Sequence, residues 1–346
     1  MVENHDKVFM QRCIHLAEKA GGLNAPNPKV GCVIVYNDQI IGEGCHLLYG
    51  EAHAEVNAIA SVADNQLHLL SKSTMYVTLE PCFHFGKTPP CVDLVIKHKI
   101  PRVVIACVDP NSKVAGKSIQ KLKEKGVEVV CGVLENESRW LTRRFFTNIE
   151  KHRPYIVLKF AKSKDGFIGR HNEETVISNP ISKRLVHKWR SEETAILVGT
   201  NTALVDNPQL TNRLFHGRSP LRLVLDRTLR LPEDLYLFDG TQETWVFTAK
   251  NEFSELKNIR YVNLNFEEDL IQHLLNYLYQ QRIQSVLVEG GRQLLQSFID
   301  SNLWDEARVL CSNIYLEDGI PAPVLPEKCL KLEQQFSDNI IKTYVN

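Results

Sequence analysis

The chain has 346 residues, enough for two domains that each bury an apolar core. Lys and Arg balance Asp and Glu at 41 each, so the basic surplus of a dedicated nucleic-acid binder is missing and a small substrate is favoured. No apolar run approaches membrane-spanning length, and Met1-Val2-Glu3-Asn4-His5-Asp6 has neither the basic nor the apolar region of a secretion signal.

In chain order, Val8 to Ala20 reads as a helix with one apolar face. Val30 to Tyr36 reads as a buried strand, with Ile40 to Gly44 its partner across a turn at Asn37-Asp38. A helix begins near His53, and strands follow at Met75 to Leu79 and Arg102 to Val108. Ala115 to Lys125 is a helix stopped by Gly126, and Val127 to Val133 is the next strand. The polar stretch Asn148 to Pro154 is the expected boundary between domains 1–150 and 151–346. Beyond it the alternation restarts, with strands at Tyr155 to Ala161, Ala195 to Val198, Leu221 to Leu225, Trp245 to Thr248, Ser285 to Val288 and Arg308 to Cys311. Helices are expected at Ile181 to Ser191, at Glu268 to Gln281 and after Gly291. Both halves therefore read as α/β. Nine scattered cysteines suit a reducing cytosol, with Cys13, Cys32, Cys107, Cys131 and Cys311 expected in the core.

The residues with chemistry lie in the first half. His53-Ala54-Glu55 stands at a helix start, Pro81-Cys82 follows a strand, and Cys91 comes nine residues later. One imidazole and two thiolates leave the fourth position of a tetrahedral zinc open to water, which distinguishes a catalytic from a closed structural site. Zinc brings that water toward ionisation at neutral pH, and Glu55, close in sequence but not a ligand, is placed to shuttle protons. Histidine, glutamate and paired cysteines in this order are the signature of the zinc deaminases. A structural zinc knuckle is the competing reading. The second half carries Val288-Glu289-Gly290-Gly291 before a helix, a strand-to-helix turn that offers backbone N–H groups to a phosphate. It has no G-x-G-x-x-G, so a Rossmann dinucleotide site is not expected.

Several segments carry a resemblance. Thr78-Leu79-Glu80-Pro81-Cys82-Phe83-His84-Phe85-Gly86-Lys87-Thr88-Pro89-Pro90-Cys91, Pro26-Asn27-Pro28-Lys29-Val30-Gly31-Cys32-Val33, and Asp109-Pro110-Asn111 followed by Val114-Ala115-Gly116 resemble the riboflavin-pathway deaminases. Lys159 to Gly166, Gly199 to Pro208 and Val288 to Gly291 look like the reductase half of the same bifunctional pyrimidine deaminase/reductase family. The resemblance covers essentially the whole chain. It implies an N-terminal cytidine-deaminase-like domain followed by a dihydrofolate-reductase-like domain. The first would hydrolyse the C2 amino group of a diaminopyrimidinone ribosyl phosphate, with zinc on His53, Cys82 and Cys91 and Glu55 as the catalytic residue. Asn27, His46, His84 and Lys87 would bind that substrate. The second would reduce the ribosyl group to ribityl with NADPH. Lys159, Glu174, Arg190, Leu210, Arg213 and Glu289 would face its substrate, and Ala161, Val176, Thr202, Asp206, Arg227 and Gly291 its cofactor.

The chain departs from the family in places. Phe83 stands where the family usually has serine, Val176-Ile177-Ser178 where it has Trp-Ile-Thr, and Glu174 where it has serine. The usual glycine-rich run is missing between Asn313 and Pro326. These departures make an active deaminase with a degenerate reductase platform the alternative expectation. An RNA-editing module is disfavoured by neutral charge and by the long Cys82 to Cys91 loop. A homo-oligomer is compatible with two α/β domains.

Overall fold

The computed structural model describes residues 4–83, 89–111, 115–253 and 255–346. The chain divides into two compact units, Met1–Lys151 and His152–Asn346.

Unit 1 runs α1 (Asn4–Glu18), β1 (Gly31–Tyr36), β2 (Gln39–Cys45), α2 (Ala54–Ala60), β3 (Thr74–Leu79), α3 (Cys91–Lys97), β4 (Arg102–Cys107), α4 (Lys117–Glu124), β5 (Glu128–Cys131), α5 (Glu135–Leu141) and α6 (Arg143–Lys151). Its sheet has the order β2-β1-β3-β4-β5, antiparallel on the β1 side and parallel from β3 to β5. The β1–β2 turn places Asn37 at φ 45° and Asp38 at φ 64°, the left-handed pair a tight hairpin requires. Strands β1 and β4 read as unbroken apolar runs because both their faces are covered. Cys32, Ile34, Val103 and Ile105 face one core with Ala58 of α2, Val92 of α3 and Leu122 of α4. Val33, Val35, Val104 and Ala106 face another with Phe9, Cys13 and Leu16 of α1.

Helix α2 sits unusually close to β2. A methyl group on Gly44 would lie 2.3 Å from the Ala58 nitrogen and 2.4 Å from the Ala54 oxygen, so glycine is required there for the helix backbone to approach. This contact fixes the height of His53 and Glu55 over the sheet.

Unit 2 runs β6 (Tyr155–Lys162), β7 (Phe167–Gly169), α7 (Pro180–Glu192), β8 (Ala195–Gly199), α8 (Thr200–Asp206), β9 (Leu221–Leu225), β10 (Thr244–Thr248), β11 (Ile259–Asn263), α9 (Leu270–Gln280), β12 (Ser285–Val288), α10 (Arg292–Asp300), β13 (Glu306–Cys311), β14 (Ile320–Pro321), β15 (Leu330–Phe336) and β16 (Asn339–Val345). Nine strands form one sheet in the order β11-β10-β9-β8-β12-β6-β13-β16-β15, parallel from β11 to β13 and antiparallel beyond. A small ribbon pairs β7 with β14. Leu274 and Leu278 of α9 and Leu295 and Phe298 of α10 cover one face, and Val186 and Trp189 of α7 the other.

The expected strands and helices are present with ends shifted by a few residues. The core expectation for cysteines holds for Cys13, Cys32 and Cys107 but not elsewhere: Cys131 is exposed and Cys311 only half-buried. Cys131 ends β5, an edge strand with only its inner side covered, so an apolar sequence there did not mean burial. Among the described residues no helix is long and apolar enough to cross a membrane.

Candidate active sites

In unit 1, β3 delivers the chain to Cys82, while His53 and Cys91 stand at the N-terminal ends of α2 and α3. The His53 Nδ1 atom lies 3.5 Å from Cys82 Sγ and 3.4 Å from Cys91 Sγ. All three donor atoms fall within 4.8 Å of one another. Bonds of about 2.3 Å to sulfur and about 2.0 Å to nitrogen at tetrahedral angles put donor atoms about 3.5 Å apart, so the cluster has the dimensions of a zinc site.

Local electrostatics favour a thiolate there. The Cys91 backbone N–H donates to Cys82 Sγ at 3.2 Å, from the first turn of α3. The Cys91 thiol beside it, helped by His53, holds Cys82 down at about 4 against burial. Glu55 is 3% exposed, and burial followed by the neighbouring Cys82 charge pushes its carboxyl up to about 7. A carboxyl poised near neutrality, beside a soft-donor cluster, is the arrangement acid–base catalysis needs.

The floor of this site is a fixed hydrogen-bond chain. His46 donates from Nδ1 to the Ala52 carbonyl at 3.0 Å, which leaves Nε2 to accept from the Asn27 amide at 2.9 Å. Asn24 donates to the Asn27 carbonyl at 2.6 Å, and the His46 and His53 rings meet edge to face at 5.5 Å. His84 and Lys87 lie outside the described residues.

In unit 2, the chemistry gathers at the carboxyl ends of β6, β8 and β12, where β12 returns between strands laid down earlier. Such switch points in parallel sheets are where ligands bind. A cavity of about 260 Å³ is lined by Lys159, Ala161, Arg190, Thr202, Asp206, Leu210, Glu289 and Gly291, with Thr175, Ile177 and Ser178 on its wall. Arg190 grips Glu289 with Nε and Nη2, both at 2.8 Å, and its Nη1 donates to the Thr211 carbonyl at 3.1 Å. Lys159 Nζ lies 3.6 Å from the same carboxylate. Burial raises the Glu289 carboxyl, but Arg190 and Lys159 outweigh it and hold the group at about 2. Gly290 has φ 131°, a conformation side chains rarely adopt, and a methyl group on Gly291 would press the Thr202 hydroxyl at 3.1 Å. The bare turn thus leaves backbone and hydroxyl facing the cavity together.

The other expected residues stand outside this lining. Glu174 and Arg213 are exposed, Val176 is 61% exposed, and Arg227 pairs with Glu267. Glu174 still acts on the cavity: burial, then the Glu174 charge, raise the Asp206 carboxyl against the pull of Lys159. His187 had no role in the sequence reading. It is buried, and its Nδ1 accepts the Arg213 backbone N–H at 3.1 Å.

Comparison with known proteins covers both units. Residues 3–107 match the cytidine and deoxycytidylate deaminase zinc-binding region, and residues 154–333 match the RibD C-terminal domain. The riboflavin biosynthesis protein RibD of Aquifex aeolicus is 34% identical, covering 98% of this chain and 97% of that protein. The RibD of Bacillus amyloliquefaciens is 39% identical, covering 92% of this chain and 87% of its own length. The crystal structure of a diaminohydroxyphosphoribosylaminopyrimidine deaminase/5-amino-6-(5-phosphoribosylamino)uracil reductase from Thermotoga maritima superimposes with a TM-score of 0.90 at 35% identity, covering 99% of this chain and 98% of that one. A match to both halves supports two activities rather than a deaminase carrying a degenerate platform. The chain belongs to the bifunctional RibD family of riboflavin biosynthesis, with a deaminase domain ahead of a reductase domain.

Proposed function

We propose that residues 1–151 hydrolyse the C2 amine of 2,5-diamino-6-(ribosylamino)pyrimidinone 5′-phosphate, and that residues 152–346 then reduce the ribosyl group to ribityl with NADPH. The observation that carries the reading is the His53, Cys82 and Cys91 donor set with buried Glu55 beside it. Zinc fits those donors, and when bound it lowers the pKa of a water toward neutrality. Glu55, itself buried, takes a proton from the attacking water and hands it to the departing amine. Asn27, whose side-chain nitrogen is spent on His46 and whose backbone carbonyl accepts from Asn24, presents its side-chain oxygen to the pyrimidine. His46 holds Asn27 in place, and His84 and Lys87 serve the base and the phosphate.

In the second unit NADPH supplies the hydride. A cavity of about 260 Å³ is at the small end for a ligand site, which suits the two reacting ends rather than whole molecules. Lys159, Arg190, Leu210 and Glu289 face the sugar, while Ala161, Thr202, Asp206 and Gly291 face the nicotinamide. Glu174, Val176 and Arg213 belong to the outer rim, and Arg227 meets the 2′-phosphate by exchanging Glu267 for it. Nine cysteines without a disulfide among them support a cytosolic setting.

Ammonia release from the diaminopyrimidinone substrate tests the first activity. Glu55→Gln should keep its zinc and lose deamination by about 10²–10⁴-fold, the usual contribution of a proton shuttle. A variant with wild-type ammonia release would remove Glu55 from the mechanism.

A further inference from the structure

Glu80 lies two residues before a zinc-ligating cysteine, is 3% exposed, and has no part in the chemistry described so far. A buried carboxylate must be paid for in hydrogen bonds, and here backbone N–H groups supply them. Its Oε2 accepts the Asp109 N–H at 3.2 Å and the Gly116 N–H at 3.0 Å, and its Oε1 accepts the Ser118 N–H at 3.1 Å. The Gly116 and Ser118 donors belong to the start of α4, whose own N-cap residue, Gly116, offers no side chain to satisfy them, and Asp109 lies just past β4. Glu80, directly after β3, therefore caps α4 from a distant part of the chain. The tie is doubled, since the Ser118 hydroxyl donates to the Pro81 carbonyl at 2.6 Å.

The same helix also reaches the second cysteine. Lys121 of α4 pairs with Asp93 of α3 at 2.5 Å, and its ammonium stands 5.4 Å from the centre of the Phe83 ring. Cys91 is the first residue of α3, and Phe83 directly follows Cys82. One short helix thus braces both arms of the ligand pair, and Glu80 is what fastens it. From this geometry we infer that Glu80 is a positioning residue for the metal site: it sets the relative placement of Cys82 and Cys91 through α4, without touching substrate or metal. The inference rests on the proposed reading of His53, Cys82 and Cys91 as zinc ligands. It also gives Asp109 and Gly116, whose roles the sequence leaves open, the task of presenting backbone N–H groups to Glu80.

The test uses the full chain loaded with zinc. Glu80→Gln keeps the shape but turns one acceptor into a donor facing N–H groups. Zinc affinity, measured by competition with a chromogenic chelator on protein shown folded by circular dichroism, should weaken about 10–100-fold, as for partners that orient metal ligands. Glu80→Asp, which keeps the charge, should recover part of the loss. Deaminase kcat should fall in Glu80→Gln while KM for the pyrimidine holds. Wild-type zinc affinity in folded Glu80→Gln would overturn the inference. If that variant does not fold, Ser118→Ala removes the second tie and should weaken zinc binding in the same direction; unchanged affinity there overturns it equally. A wild-type chain that takes up no zinc would instead bring down the underlying assignment of the site.

Discussion

His187 shows how a single side chain couples the reductase site to pH. Burial, reinforced by the nearby Arg190 and Arg213 charges, lowers its imidazole to about 4, so the folded protein holds the ring neutral. An unfolded histidine titrates near an ordinary value of about 6.5. As pH falls through that value the unfolded chain gains a proton that the folded chain refuses, so this contribution to stability is present above about 6.5 and declines down to about 4. Unfolding of unit 2 at pH 7 and pH 5 should show the loss, and His187→Gln, which can still accept the Arg213 N–H, should reduce the difference by about 2 kcal/mol. Equal acid sensitivity in the two proteins would clear His187 of the effect. None of this was legible beforehand: a lone histidine inside a helix carries no signal, and its partner is a backbone group 26 residues away. His53, Glu55, Cys82 and Cys91 were legible because their residue types are rare and their spacing is specific. Glu289 and Arg190 were legible only through the resemblance, and nothing local in the sequence reveals that their charges close on each other.

At the scale of elements, periodicity found what was buried on both sides or cleanly amphipathic. It found β1, β3, β4, β6, β8 and β12, where apolar runs reflect coverage of both faces. It missed β15, whose residues are nearly all exposed, because an edge strand need not carry an apolar pattern. It missed α3 as well, since Cys91 stands directly after Pro89-Pro90 and the helix is only seven residues long. The close seat of α2 on β2 was equally silent, although Gly42 and Gly44 stood in plain view. That seat is testable. Gly44→Ala would drive a methyl group into the α2 backbone, and either the helix lifts or the strand bends, at a cost of about 3 kcal/mol. The expected result is a lower unfolding midpoint for unit 1 and lost ammonia release, with NADPH oxidation unaffected. A fully active Gly44→Ala variant would show that the approach is not needed.

At the scale of the whole molecule, both units use one solution. In each, strands running side by side in the same direction deliver reactive residues to their carboxyl ends, and helices beginning there add N–H groups or ligands. Helix starts supply His53 and Cys91 in unit 1 and follow Gly199 and Gly291 in unit 2. The chain divides after Lys151, inside the polar stretch before Pro154, where composition changes. The two sites share no residue, so the ligand requirements should separate. Treatment with a strong zinc chelator should abolish ammonia release and lower the unfolding midpoint of unit 1, while NADPH oxidation with the deaminated intermediate persists. Simultaneous loss of both activities would mean that the metal supports more than its own unit.

The uneven exposure of the nine cysteines has a practical side. Six are buried, Cys82 and Cys311 are half-buried, and Cys131 stands open to solvent. Cys131 meets a thiol reagent whether or not metal is present, whereas Cys82, held toward its reactive thiolate form, is shielded only when it is spent on a metal bond. The difference in rapidly labelled sulfur between native and chelated protein becomes a chemical gauge of metal loading, readable by mass without any substrate.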